Sequence, residues 1–190
     1  MPVPTSNTVL IATGGNLDFA RQSPAETLRA AAAMLPALGF RNLRISALYR
    51  TPCFPAGAGP DYVNGAIAAD WEGTAAAALA ALHGVEAKFG RVRDTRWGMR
   101  TLDLDLLAFG DSVLPDLAMF TAWCDLPADQ QTTHAPDQLI LPHPRLQDRG
   151  FVLVPLADIA PDWRHPVTGL TVAQMLAALP AADLAEIRPI

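Results

Sequence analysis

The stretch TLDLDLLAFG, residues 101–110, alternates apolar and acidic side chains with the two-residue period of a β-strand. That period sends Leu102, Leu104 and Leu106 to one face and sets Asp103 and Asp105 side by side on the other. Gly110 and Asp111 then turn the chain. A strand with one apolar face needs a cover, and the residues before it supply helices and further strands. Thr74 can cap an alanine-rich helix that runs through Leu82 and Val85 toward Lys88 and stops at Gly90. YVNGAIAAD, residues 62–70, reads as a strand, and so does RNLRISALYR, residues 41–50, where Leu43, Ile45, Ala47 and Tyr49 alternate before Thr51 and Pro52. Earlier still, Ser23, Pro24 and Glu26 form the N-cap, N1 and N3 of a capping box, opening a helix that closes at Gly39. VLIATGG, residues 9–15, is a buried strand ending in glycines. The order β-α-β-β-α-β predicts an α+β sandwich of the ferredoxin-like kind, with helices packed on a mainly antiparallel sheet.

Downstream, residues 115–138 carry prolines and polar residues without a period and are expected to be a loop insertion. Apolar order returns in residues 139–161, and Thr171 caps a short helix. At 190 residues and 51% hydrophobic the chain can build one core, and no linker or repeat divides it, so residues 1–190 are expected to form a single domain. The N-terminus has no basic segment ahead of its short apolar run, and no stretch reaches the roughly 18 apolar residues of a membrane span. Cys53 and Cys124 form no CxxC pair. A soluble, monomeric protein of the reducing cytoplasm is expected, with no membrane partner. The net charge of −5 disfavours a protein that coats nucleic acid, while leaving room for a local basic site.

Adjacent carboxylates repel unless a cation sits between them, and magnesium prefers hard carboxylate oxygens while sharing its other positions with water and phosphate. Taken alone, Asp103 and Asp105 fit a solvated strand face at least as well as a metal site. Their neighbours change the balance: Arg91, Arg93, Arg96 and Arg100 fall within residues 91–100 of a chain with 14 Lys plus Arg. Guanidinium groups grip phosphate oxygens in bidentate fashion, so the pair of features points to a polyphosphate substrate. An RNA-binding patch would add stacking aromatics, and here Trp97 alone is interleaved. No G-x-x-x-x-G-K-[ST] and no G-x-G-x-x-G occurs, which excludes P-loop and Rossmann chemistry.

Six segments, GGNL (14–17), YRTP (49–52), PDYVN (60–64), GRVR (90–93), RWGMRTLDLDLL (96–107) and LPHPRLQDRGFVLVPL (141–156), carry a resemblance in their order and spacing. The chain resembles the 6-hydroxymethyl-7,8-dihydropterin pyrophosphokinases of folate biosynthesis. The resemblance implies two Mg2+ ions on Asp103 and Asp105, bridging the phosphates of ATP as co-substrate. It also implies Arg91 and Arg93 on a mobile catalytic loop, with Arg100, His143 and Arg149 on the triphosphate, Trp97 closing the site and Glu86 near the nucleotide. A pterin ring would stack between Tyr62 and Phe151, its polar edge read by Asn64 and by Thr51 and Pro52, with Asp103 alongside. The pterin hydroxyl would attack the β-phosphorus and AMP would leave.

Three departures accompany the resemblance. Gly15 stands where serine is usual, Met99 where proline is usual, and residues 115–138 exceed the common length. Two other functions remain open on the sequence: a phosphohydrolase using the same metal pair with water as acceptor, and a non-catalytic ferredoxin-like regulatory or RNA-binding module. Glu86 could equally be an exposed glutamate at a helix end.

Overall fold

The computed structural model describes residues 6–53, 59–91, 99–127, 130 and 136–190. Helix α1 (Pro24–Met34) starts as its capping box requires: the Ser23 hydroxyl accepts the Glu26 N–H, and the Glu26 carboxylate accepts the Ser23 N–H at 2.8 Å. A 3-10 turn continues it to Gly39, whose φ of 103° reverses the chain where a side chain would be strained. Helix α2 (Ala75–Lys88) is capped by Thr74, whose hydroxyl accepts the Ala77 N–H at 3.1 Å.

The strands are β1 (Ser6–Gly15), β2 (Arg41–Ile45), β3 (Tyr49–Thr51), β4 (Tyr62–Glu72), β5 (Asp103–Phe109) and the short β6 (Arg188–Pro189). They form one sheet in the order β5-β1-β4-β3-β6, with β2 beside β4, and the named pairs are antiparallel. The β-α-β-β-α-β order and the antiparallel sheet are those expected. Serine 46 and its neighbours divide the expected strand 41–50 into β2 and β3.

Alternation sorts the side chains. Val9, Ile11, Leu104 and Leu106 join α1 and α2 in one core, while Leu10, Ala66, Ala68 and Leu107 face the other way. That second face is covered by α4 (Gly150–Ile159) and α5 (Val172–Ala178), through Val152, Leu153, Leu156, Val172 and Met175. The sheet is therefore sandwiched between helices. A short α6 (Ala181–Leu184) precedes β6.

The segment 115–138 is not loop throughout. Residues Leu117–Cys124 form α3, because Asp116 caps it by accepting the Met119 N–H at 2.9 Å and Phe120 finds a buried place. No described helix is long and apolar enough to cross a membrane.

Candidate active site

In the antiparallel register Asp103 of β5 lies beside Gly14 of β1, Gly14 beside Asn64 of β4, and Asn64 beside Tyr49 of β3. Cross-strand partners share a face, so these residues form one row at one end of the sheet. Asp105 stands one step along, beside Ala12. The row is tight at its centre: a Cβ on Gly14 would come within 2.7 Å of the Asn64 Oδ1. Asn64 is buried and donates to the Thr51 hydroxyl at 2.7 Å.

Strand β5 ends the strand order, so one side of its backbone has no strand partner among the described residues. Two other groups serve that open edge. Glu86, on the last turn of α2, accepts the Leu104 N–H at 2.7 Å, and the Leu107 carbonyl accepts the His143 N–H at 2.7 Å. Glu86 is 2% exposed, which corrects its reading as an exposed helix-end residue. Its carboxylate also pairs with Arg91, and Arg91 pairs in turn with Asp103. Arg100 holds the other oxygen of Asp103.

Asn16 was not singled out in the sequence beyond its place in GGNL. Buried at 4% exposure, it accepts the Arg100 N–H at 2.8 Å and donates to the Pro60 carbonyl at 3.1 Å, while its own N–H donates to the Arg100 carbonyl. It thereby fixes the backbone from which Arg100 reaches Asp103. A polar residue directly after a glycine-ended strand was the available signal.

The second aspartate is in a different situation. Burial, and then the nearby Asp103, push the Asp105 carboxyl up to about 6, against the pull of Arg149, Arg100 and Arg91. A carboxylate whose charge is this poorly supported fits a cation. The two-carboxylate donor set fits magnesium, which completes its shell with water and substrate phosphates, better than zinc or a closed calcium cage. Among the described residues no group of three or more His, Cys, Asp and Glu gathers as a metal cage.

His143 is held neutral, its pKa lowered to about 3 by burial and then by Arg149. Its Nδ1 accepts the Arg145 N–H at 3.1 Å, which leaves the proton on Nε2 as a donor. Burial works against the charge on Arg149, and Asp105 works for it. Asp105, His143 and Arg149 line one cavity of about 550 Å³ with Arg145, Trp123 and His83.

On the other side of Asp103, Tyr62 is half-buried, and burial raises its phenol pKa with Arg100 and Asp103 close enough to act on it. Pro52 is exposed after β3. Phe151, at the start of α4, is 40% exposed and carries the Arg149 guanidinium 5.7 Å from its ring centroid. Thus Glu86, Arg91, Arg100, Asp103, Asp105, His143 and Arg149 gather around β5, while Tyr62 and Asn64 sit two strands away and Thr51 three. Arg93 and Trp97, expected on the nucleotide side, lie outside the described residues, as does Arg96.

The sequence model of the 7,8-dihydro-6-hydroxymethylpterin-pyrophosphokinase family matches residues 10–161, which include this whole constellation. The chain belongs to that family. A pyrophosphokinase of this family from Pseudomonas aeruginosa is 40% identical over 174 residues, covering 90% of this chain and 91% of the relative. Another from Synechocystis is 38% identical over 73% of this chain, and the match spans 60% of that relative's length. Both are described as 2-amino-4-hydroxy-6-hydroxymethyldihydropteridine pyrophosphokinases. Among solved structures, Plasmodium falciparum HPPK-DHPS superposes with a TM-score of 0.60 at 13% identity, covering 93% of this chain and 45% of that one. That likeness bears on the fold.

Proposed function

We propose that this pyrophosphokinase-family chain transfers the terminal pyrophosphoryl group of ATP to 6-hydroxymethyl-7,8-dihydropterin, a step of folate biosynthesis. The observation that carries the reading is the position of Asp103. It stands between Arg91 and Arg100 and beside a cavity bearing Asp105, His143 and Arg149, while Asn64 and Tyr62 continue the same end of the sheet. Phosphate-gripping and heterocycle-reading groups thus flank one pair of carboxylates.

In this reading Asp103 and Asp105 would hold two Mg2+ ions, which when bound supply charge neutralisation to the transferring phosphates. Arg100 and Arg149 orient the triphosphate, and Nε2–H of the neutral His143 donates to a phosphate oxygen without adding a titrating charge. Arg91, Arg93 and Trp97 would contact the nucleotide, with Glu86 holding Arg91 in place. The pterin lies against Tyr62 and Phe151, with Thr51, Pro52 and Asn64 at its polar edge; a flat heteroaromatic gains from π faces and a few fixed hydrogen bonds. Its hydroxymethyl oxygen bonds to the β-phosphorus as the bond from that phosphorus to the α-phosphate oxygen breaks. The hydroxyl proton is released and AMP departs. Alignment and electrostatics suffice, and no enzyme nucleophile is used. The enzyme acts in the cytoplasm as a single-domain monomer.

Purified protein given ATP, Mg2+ and the hydroxymethyl dihydropterin should form AMP in step with the pterin diphosphate. Formation of ADP, or nucleotide consumption without the pterin, would overturn the reading; the second outcome would favour a phosphohydrolase.

A further inference from the structure

Helix α3 lies in the segment to which no motif assigned a role, yet it is fixed to the body at three points. Just ahead of it, Leu114 and Leu141 exchange backbone hydrogen bonds of 2.8 and 3.1 Å. Within it, Phe120 is 3% exposed, and its ring centroid lies 5.7 Å from that of the buried His165. At its end, the Cys124 thiol donates to the Pro144 carbonyl at 3.4 Å, between His143 and Arg145. Docked in this way, α3 turns the half-buried Trp123 onto the cavity that also holds Asp105, His143 and Arg149.

The cavity has two chemical characters. Asp105, His143, Arg145 and Arg149 give its lining polar and cationic groups, with Asp137 and Gln138 also present, while Trp123, Leu79, Leu106 and Ile140 give it apolar surface. A nucleoside triphosphate combines the same two characters, a polyanion and a flat base. The pterin is flat too, but the residues placed to read it, Thr51 and Asn64, belong to β3 and β4 on the far side of β1. Trp123 shares its cavity with Leu79 and His83 of α2, outside the open edge of β5.

We propose that α3 supplies Trp123 as the wall against which the nucleobase of the co-substrate stacks, so that this helix sets affinity for the base. An indole offers a large, rigid π face at low entropic cost, and base–aromatic stacking tolerates the absence of other specific contacts. The inference rests on the nucleotide reading of the site and adds a base-binding residue to it.

The test measures Kd by calorimetry for ATP and for inorganic tripolyphosphate, both with Mg2+ and without pterin, in the full chain and in its Trp123→Ala and Trp123→Phe variants. Trp123→Ala should weaken ATP roughly tenfold and leave tripolyphosphate unchanged, because the latter has no base to stack. Trp123→Phe should recover most of the ATP affinity, and in turnover the loss should fall on the KM for ATP rather than on kcat. Equal weakening of both ligands would make Trp123 a merely structural residue, and an unchanged ATP Kd would remove it from the site; either overturns the proposal. If the wild-type chain binds ATP in this Trp123-dependent way but forms no AMP with the pterin, the transfer reading fails and the stacking inference stands.

Discussion

The Glu86 carboxylate accepts the Leu104 N–H at 2.7 Å, so a side chain from α2 seals the open edge of the strand that carries both aspartates. The same carboxylate holds Arg91, which holds Asp103. One buried acid therefore sets both the position of the strand and the direction of a guanidinium. Replacing it separates the two duties. Glu86→Ala should cost about 2–3 kcal/mol, since a buried N–H loses its acceptor and the Arg91 guanidinium loses one of its two carboxylates. Glu86→Gln, which still offers an oxygen to Leu104, should lose about half of that; urea unfolding compares the two.

Asp105 is the residue where stability and function should part. Burial and Asp103 push its carboxyl up to about 6 from an ordinary 3.8, so above pH 6 the folded state carries a charge that its surroundings disfavour. The sign follows from linkage: the folded form binds the proton more tightly, and the cost appears as pH rises from about 4 through 6. In chelator, Asp105→Asn should be more stable than wild type by about 1–2 kcal/mol at pH 7.5, allowing for solvent screening, and equal to it near pH 4. Turnover should fall at least about a hundredfold in the same variant, as it should in Asp103→Ala with the fold intact. Thermal melts beside an AMP-release assay check both halves.

Gly15 gives a prediction that runs against the usual family sequence. A Cβ there would lie 2.6 Å from the backbone oxygen of Thr101, which has no freedom to rotate away. Gly15→Ser, restoring the common residue, should cost about 1–3 kcal/mol through strain. It should also lower activity, because Thr101 follows Arg100 and the Asn16 clamp would shift with it. A melting temperature equal to that of wild type would show that the 99–103 segment relaxes freely.

His143 should make the protein acid-sensitive. Its folded pKa is lowered to about 3 while an exposed histidine titrates near 6.5, so the unfolded chain takes up a proton that the folded chain refuses. Stability supplied by the neutral ring is complete above 6.5 and is lost as pH falls toward 3. Between pH 7 and pH 5, wild type should lose about 1–2 kcal/mol more than His143→Asn, after discounting for the exposed part of the ring. His165, also buried and also shifted downward, adds the same trend to both proteins and drops out of the difference.

The order of elements was legible because each carried a local signal. Ser23 with Glu26, Thr74 and Thr171 capped helices where short-range hydrogen bonds dictate, and the Leu/Asp alternation of 102–106 placed the aspartates opposite Leu104 and Leu106. Helix α4 gave no such signal. It is apolar nearly throughout, has no side-chain cap at Arg149 and contains Pro155, so its periodicity could not be told from that of a buried strand. Helix α3 was hidden for a related reason: its cap, Asp116, sits among prolines and turn residues, and the partner that anchors Phe120, His165, lies 45 positions later in the chain.

What the sequence determined by itself was which groups could do chemistry: two carboxylates on one strand face, arginines beside them, and the motif order that places the chain among pyrophosphokinases. Residue type and spacing of two are local facts, and a strand obeys them wherever it packs. Tertiary structure alone decided how those groups are poised. Glu86 became a buried strap because β5 fell at the sheet's edge, Asp105 rose to about 6 because burial and the nearby Asp103 work against its charge, and Trp123 reached the cavity because Phe120 and Cys124 dock α3 there. Burial and strand order come from long-range contacts, and those are the terms that set a carboxyl's pKa and an edge's hydrogen bonds.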